Sequence, residues 1–152
     1  MTMKGVLYYL VIFLVVSVSA GCSSEKKDSS GSSGDEAKPK LVRKHRDDGT
    51  LSSVSQVDED GYLHGVKVNY YEDGKTIHSK VSYKHGRKEG PAIWYYKSGQ
   101  IYEQTNFHYG RRQGVTKRYY ENGVLMEEVT YKQGEELPDK KVYNRDGEPI
   151  SD

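Results

Sequence analysis

Long apolar runs are nearly missing from this sequence. The longest, Val6–Val16, has 11 residues, well short of the roughly 20 that a helix needs to span a bilayer. Cysteine is scarcer still: the chain has one, Cys22, so no internal disulfide framework can staple it. Beyond residue 21, Leu, Ile, Val and Phe are too few to fill a core between two packed layers, whereas the whole chain holds 14 tyrosines. No charge of one sign dominates either. Without residues 1–21, which contain Lys4 and no acid, 22 basic residues face 22 acidic ones, and that balance excludes the basic footprint of a nucleic-acid binder. Glycine is abundant, and its even spread excludes long helices.

What the sequence does have is repetition. Gly65-Val-Lys-Val-Asn-Tyr-Tyr71-Glu-Asp-Gly74, Gly90-Pro-Ala-Ile-Trp94-Tyr-Tyr96-Lys-Ser-Gly99 and Gly114-Val-Thr-Lys-Arg-Tyr-Tyr120-Glu-Asn-Gly123 superimpose without a gap. Each then runs to a further glycine pair, Gly86 with Gly90 or Gly110 with Gly114, or to Gly134 with Pro138. Weaker copies, His45-Arg-Asp-Asp-Gly49 followed by Gly61 and Tyr143-Asn-Arg-Asp-Gly147, extend the series both ways. The period is 24 to 25 residues over about four and a half copies, the signature of a modular array.

Within a copy, Tyr-Tyr pairs and β-branched residues bounded by Asp73-Gly74, Ser98-Gly99 and Asn122-Gly123 read as strands joined by two-residue turns of positive φ. Counting out from those turns pairs Tyr96 with Ile101, Tyr95 with Tyr102, Arg118 with Glu127, and Lys117 with Glu128. The same count sets Phe107 opposite Gly90 and Tyr131 opposite Gly114, where an aromatic ring would lie over a bare strand position. In the longer copy, a one-residue bulge between Lys75 and Val81 is needed to bring Tyr83 opposite Gly65. Tyrosine covers sheet surface while its hydroxyl stays wet. The predicted fold is therefore all-β: an elongated single-layer antiparallel meander of repeated hairpins, with about nine strands spaced roughly 4.8 Å apart.

The first residues point elsewhere. Lys4, the apolar run and the small residues Ser17–Gly21 read as a secretory signal peptide over residues 1–21. Because the small residues end on Cys22, the segment resembles a bacterial lipobox, and that resemblance implies cleavage before Cys22 and acylation of its thiol. Residues 22–40 then form a polar, flexible tether with almost nothing to bury, and residues 41–152 form the repeat domain. The expected location is the cell envelope, lipid-anchored through Cys22, on the outer membrane of a Gram-negative bacterium.

The motif Tyr-Tyr-x-x-Gly, followed by aromatic-x-x-Gly and a further glycine, resembles the MORN repeat in its bacterial variant form, as found in YwqK-type antitoxins. The resemblance implies a β-sheet scaffold for protein or lipid contact. Its structural glycines here are Gly65, Gly74, Gly86, Gly90, Gly99, Gly110, Gly114, Gly123 and Gly134. Nothing suggests catalysis: there is no nucleophile elbow, HExxH or phosphate loop, and no catalytic residue, cofactor or metal ligand set is expected. His78, His85 and His108 fall in three different slots and do not converge, while Glu103 and Glu127 read as surface pairs. Tyr71, Tyr96 and Tyr120 share one slot and form a stripe, with Trp94 beside Tyr96; these four are the candidate protein-binding residues. Two functions follow: an envelope scaffold that contacts a partner protein, or an antitoxin or immunity-like protein that masks a toxin.

Overall fold

The computed structural model describes residues 39–150. The signal-like segment, Cys22 and all but the end of the tether lie outside the described residues. Those described form one antiparallel sheet of twelve strands and no helix. The strands are β1 (Lys40–His45), β2 (Leu51–Val57), β3 (Gly65–Tyr70), β4 (Ile77–Lys84), β5 (Arg87–Tyr95) and β6 (Ile101–His108). They continue as β7 (Arg111–Arg112), β8 (Gly114–Tyr119), β9 (Leu125–Lys132), β10 (Glu135–Glu136), β11 (Lys141–Tyr143) and β12 (Pro149–Ile150). Each strand pairs with its neighbours in the sequence, with β7 and β10 as short extensions on β6 and β9. The expected single-layer meander is the fold.

The two ends of each hairpin use different turns, and here the expected turn chemistry is corrected. Tyr96 N–H donates to the Gln100 carbonyl (2.8 Å) and Gly99 N–H to that of Tyr96 (2.9 Å), closing a three-residue loop. Tyr120, Gly123 and Val124 repeat the pattern. Such loops need positive φ only at their last residue, so Ser98 and Asn122 keep ordinary backbone. Two-residue turns with positive φ at both positions occur instead at the opposite end, in His85-Gly86, Tyr109-Gly110 and Gln133-Gly134.

Register follows from these turns. Gly90 pairs with Phe107, Gly114 with Tyr131, Lys117 with Glu128, and Arg118 with Glu127, as counted. Tyr95, however, pairs with Ile101 rather than Tyr102, and Tyr96 closes the loop with Gln100 rather than facing Ile101. The cause is a bulge that recurs in every long hairpin: the pairing skips Ser52, His78, Tyr102 and Met126. Gly65 does face Tyr83. The extra residue of that copy sits in a longer loop, Tyr71 N–H reaching the Thr76 carbonyl at 2.9 Å, and the bulge at His78 is the common one.

The core is a row on one face of the sheet rather than a layer. Val81, Ala92, Thr105, Thr116 and Val129 follow one another across five strands, all buried. Thr105 and Thr116 satisfy each other through their hydroxyls at 2.5 Å. Rows of larger side chains flank this small-residue row, Trp94, Glu103 and Arg118 on one side, Phe107, Arg112 and Tyr131 on the other. Long side chains thus do the covering that a second layer would do. The opposite face carries Lys80, Ile93, Gln104, Lys117 and Glu128, with Val66 and Val115 exposed.

Aromatic cover of the strand glycines is also corrected. A Cβ built on Gly114 would meet nothing within 4 Å, and one on Gly90 would first meet Ser82, at 3.6 Å. The rings opposite lie under cations instead: Lys88 Nζ is 4.8 Å from the Phe107 ring and the Arg112 guanidinium 5.3 Å from that of Tyr131. Gly114 is glycine because its φ is +82°, a region that side chains disfavour.

Candidate functional site

The repeated tyrosines have a defined structural task. The Tyr71 hydroxyl donates to the Tyr95 carbonyl at 2.6 Å, Tyr96 to Tyr119 at 2.8 Å, and Tyr120 to Tyr143 at 2.9 Å. Each second tyrosine therefore bonds the backbone of the next copy. In the degenerate first copy the slot holds Arg46, whose guanidinium donates to the Tyr70 carbonyl at 2.8 Å. A donor of sufficient reach is what the slot requires. The signal for Arg46 was present in the repeat spacing, since His45-Arg46 aligns with the Tyr-Tyr pairs.

The rings themselves are half-buried. Tyr71 packs edge-on against His78 at 4.8 Å between centroids, and Tyr96 against Tyr102 at 5.3 Å, so each ring rests on the bulged residue of its own hairpin. Tyr120 lies beneath the Arg145 guanidinium at 5.4 Å. Burial, followed by the neighbouring Tyr102, raises the Tyr96 hydroxyl above its ordinary pKa, so this donor stays protonated at neutral pH. Trp94 is separated from Tyr96 by the register shift of the bulge, and its ring neighbour is Phe107 at 6.4 Å. The structure thus brings the three tyrosines into one series through the backbone and places Trp94 in the adjoining row.

That row carries an ionic ladder that sequence reasoning took for surface pairs. Glu103 is 4% exposed. Its Oε1 accepts from Arg112 and its Oε2 from Arg118, both at 2.7 Å, and Arg118 also reaches Glu127 at 2.7 Å. Lys140 completes the series at 3.3 Å from Glu127. Burial alone would depress the Arg118 pKa, but the two carboxylates outweigh it and hold the guanidinium above its ordinary value. Every charge in the ladder is paired, which is the arrangement of a structural network and leaves no free acid or base for proton transfer.

His78, His85 and His108 each have a different neighbour, His78 the Tyr71 ring. His85 Nδ1 is 2.8 Å from Asp58 Oδ2, and His108 Nδ1 is 2.7 Å from Glu89 Oε1. Asp58, Asp60 and His85 bring potential ligand atoms within 4.8 Å of one another, a grouping that the sequence reading missed because it spans two hairpins. The Asp58–His85 bond already occupies one nitrogen and one oxygen of that group.

Two segments of the chain match one of the known protein families. Residues 88–109 and 112–133 match the model described as MORN repeat variant. Each matched segment spans one long hairpin, β5–β6 or β8–β9, and ends on the first residue of the two-residue turn that follows, so the match covers the central, most regular copies. No curated protein matches the chain.

Proposed function

Starting from a chain that carries MORN-variant repeats in a one-layer sheet, we propose that the protein is a lipid-anchored scaffold of the bacterial cell envelope. In this reading Cys22 carries the acyl group, the tether holds the sheet away from the membrane, and a partner protein docks along Tyr71, Tyr96 and Tyr120 with Trp94 at its margin. The observation that supports it most is the tyrosine series. Its hydroxyls are committed to the next copy, which fixes the rings in place, while the rings remain half-exposed at regular intervals. Rigid aromatic side chains lose little entropy when a partner covers them, which is why they dominate binding hot spots.

Two measurements test the reading. Labelling with a palmitate analogue is expected to mark the wild-type chain and not Cys22→Ser; equal labelling of both would overturn the anchor. A photo-crosslinking residue at Lys97, which lies beside Tyr71, is expected to trap one envelope protein. The same group at Lys80, on the opposite face, is expected to trap none. Equal products from both positions would overturn the docking row, and a trapped toxin would favour the immunity-like alternative.

A further inference from the structure

At the two-residue-turn end of the sheet, away from the tyrosine series, lies a cleft of about 570 Å³ lined by Tyr62, Lys84, His85, Arg87, Glu89 and Tyr109. Its size falls within the roughly 300–1,000 Å³ typical of small-molecule sites. One wall is the Tyr62 ring, which lies on the His85-Gly86 turn. The two ring centroids are 4.6 Å apart, and a Cβ on Gly86 would sit 3.4 Å from Tyr62 Cδ1. Tyr109, on the following turn, is 68% exposed, and Tyr62 is 52% exposed.

Tyr109 sits at φ 49°, a conformation in which Asn, Asp or Gly would be cheaper. Glu89 holds it there: Oε2 accepts from the Tyr109 N–H at 2.8 Å while Oε1 bonds His108 at 2.7 Å. The carboxylate at the cleft is therefore already engaged. The cations form no ion pair, although Lys84 lies close enough to Glu89 to help lower its pKa. Among the described residues neither Lys84 nor Arg87 has a carboxylate within 4.0 Å. The next copy shows what Arg87 forgoes. Arg111, in the same slot, lies over Gly134, where an added Cβ would sit 3.5 Å from Arg111 Cβ, whereas nothing comes within 4 Å of a Cβ at Gly110, so Arg87 lines the cleft instead.

Two exposed phenol faces and two unpaired cations suit a ligand with an apolar ring face and an anionic substituent. The exposed rim favours one whose remaining edge is hydroxylated and content in water, unlike a flat apolar acid, which needs enclosure. We propose that this cleft binds an acidic sugar, a hexuronic-acid unit of a glycan, with its ring face against Tyr62 or Tyr109 and its carboxylate on Arg87 and Lys84. The site goes beyond the scaffold reading and requires neither acylation nor the docking row.

Trigalacturonic acid titrated into the mature chain, followed by calorimetry and amide NMR, tests it. Saturable binding is expected below about 10 mM, with shifts centred on residues 84–89 and 109. Arg87→Gln and Tyr109→Gly are each expected to weaken binding roughly tenfold while leaving circular dichroism unchanged; glycine keeps the turn that Tyr109 occupies. Galactotriose and triglutamate are expected to bind at least roughly tenfold more weakly. Trp94→Ala, outside the cleft, is expected to bind the sugar as wild type does, so the two readings fail separately. No saturation, equal affinity for either control compound, or indifference to both cleft variants would overturn the proposal.

Discussion

Replacing Glu103 by glutamine probes the ionic ladder at its most buried point. The Glu103 side chain is 6% exposed and accepts from two arginines at 2.7 Å. Glutamine keeps its shape but removes the charge and turns an amide donor toward one of the guanidinium groups. Breaking one partner out of a fully buried pair costs about 3–5 kcal/mol. Here Arg112 and Arg118 are 29% and 22% exposed, and Arg118 keeps Glu127, so water and the second acid recover part of the loss. The expected cost is about 2–3 kcal/mol, or a fall in Tm of roughly 10 °C for a domain of this size. Urea denaturation of the Cys22→Ser chain should read it directly. A double-mutant cycle with Arg118→Met should return a coupling of about 1 kcal/mol or more. High salt should not erase the difference, because screening acts weakly on contacts this short and buried. A variant within about 0.5 kcal/mol of wild type, or a cycle that closes with no coupling, would refute the view that the ladder holds the sheet.

Tyr96→Phe keeps the ring and removes the donor to Tyr119, so it is expected to cost about 1 kcal/mol in thermal unfolding; no loss would mean that packing alone occupies the slot. Arg46→Lys retains a charged donor but not its forked reach to both the Leu51 and Tyr70 carbonyls, and hydrogen exchange should rise in the first hairpin while the central copies stay protected. Gly114→Ala is expected to cost about 1–3 kcal/mol because its backbone lies at positive φ, and Tyr131→Ala should not rescue it. Rescue would instead point to crowding. On acidification, Asp73 bears most directly: the Thr76 hydroxyl and two backbone amides hold its pKa at about 2. A depressed carboxylate contributes stability above its unfolded pKa near 4 and loses it as pH falls toward 2. Asp48, Asp139 and Glu128 are also depressed, by Thr50, Thr130 and Lys117 in turn. Stability should thus stay level down to about pH 4.5 and fall below it, and an Asp73→Asn chain should lose less between pH 4 and 2 than wild type.

The repeat spacing and the alternation of side chains made the meander, its register through the strand centres and the absence of helix legible from residues alone. Turn type was not legible. A glycine after Asp, Ser or Asn ends either a two-residue or a three-residue loop, since both place it at positive φ. Only the hydrogen bonds of Tyr96 and Tyr120 distinguish them. The recurring bulge at Ser52, His78, Tyr102 and Met126 was hidden for the same reason, because it compensates for the longer loop. Burial of Glu103 depends on Arg112, whose side chain reaches across the small-residue row from the far flank, a contact that pairwise counting along one hairpin does not reach. The cleft escaped notice because Tyr62, Arg87 and Tyr109 occupy different slots, and a search for periodicity passes over what does not repeat.

The bonds that join consecutive hairpins run in opposite senses at the two ends of the sheet. At one, the tyrosine hydroxyl of an earlier copy reaches forward to a later carbonyl. At the other, a turn glycine reaches back, Gly110 to Lys88 and Gly134 to Arg112, each at 2.9 Å. Every unit therefore offers the same plug and socket to whatever unit comes next. Loss of residues 90–113 would bring Tyr71 against Tyr119 and Gly134 against Lys88, restoring the seam with the same partners in kind. Gain of a unit by duplication would do the same in reverse. For such a gene, unequal recombination between its own copies yields chains that still fold, so the reach of the scaffold can drift in whole-unit steps while each hairpin is left as it was.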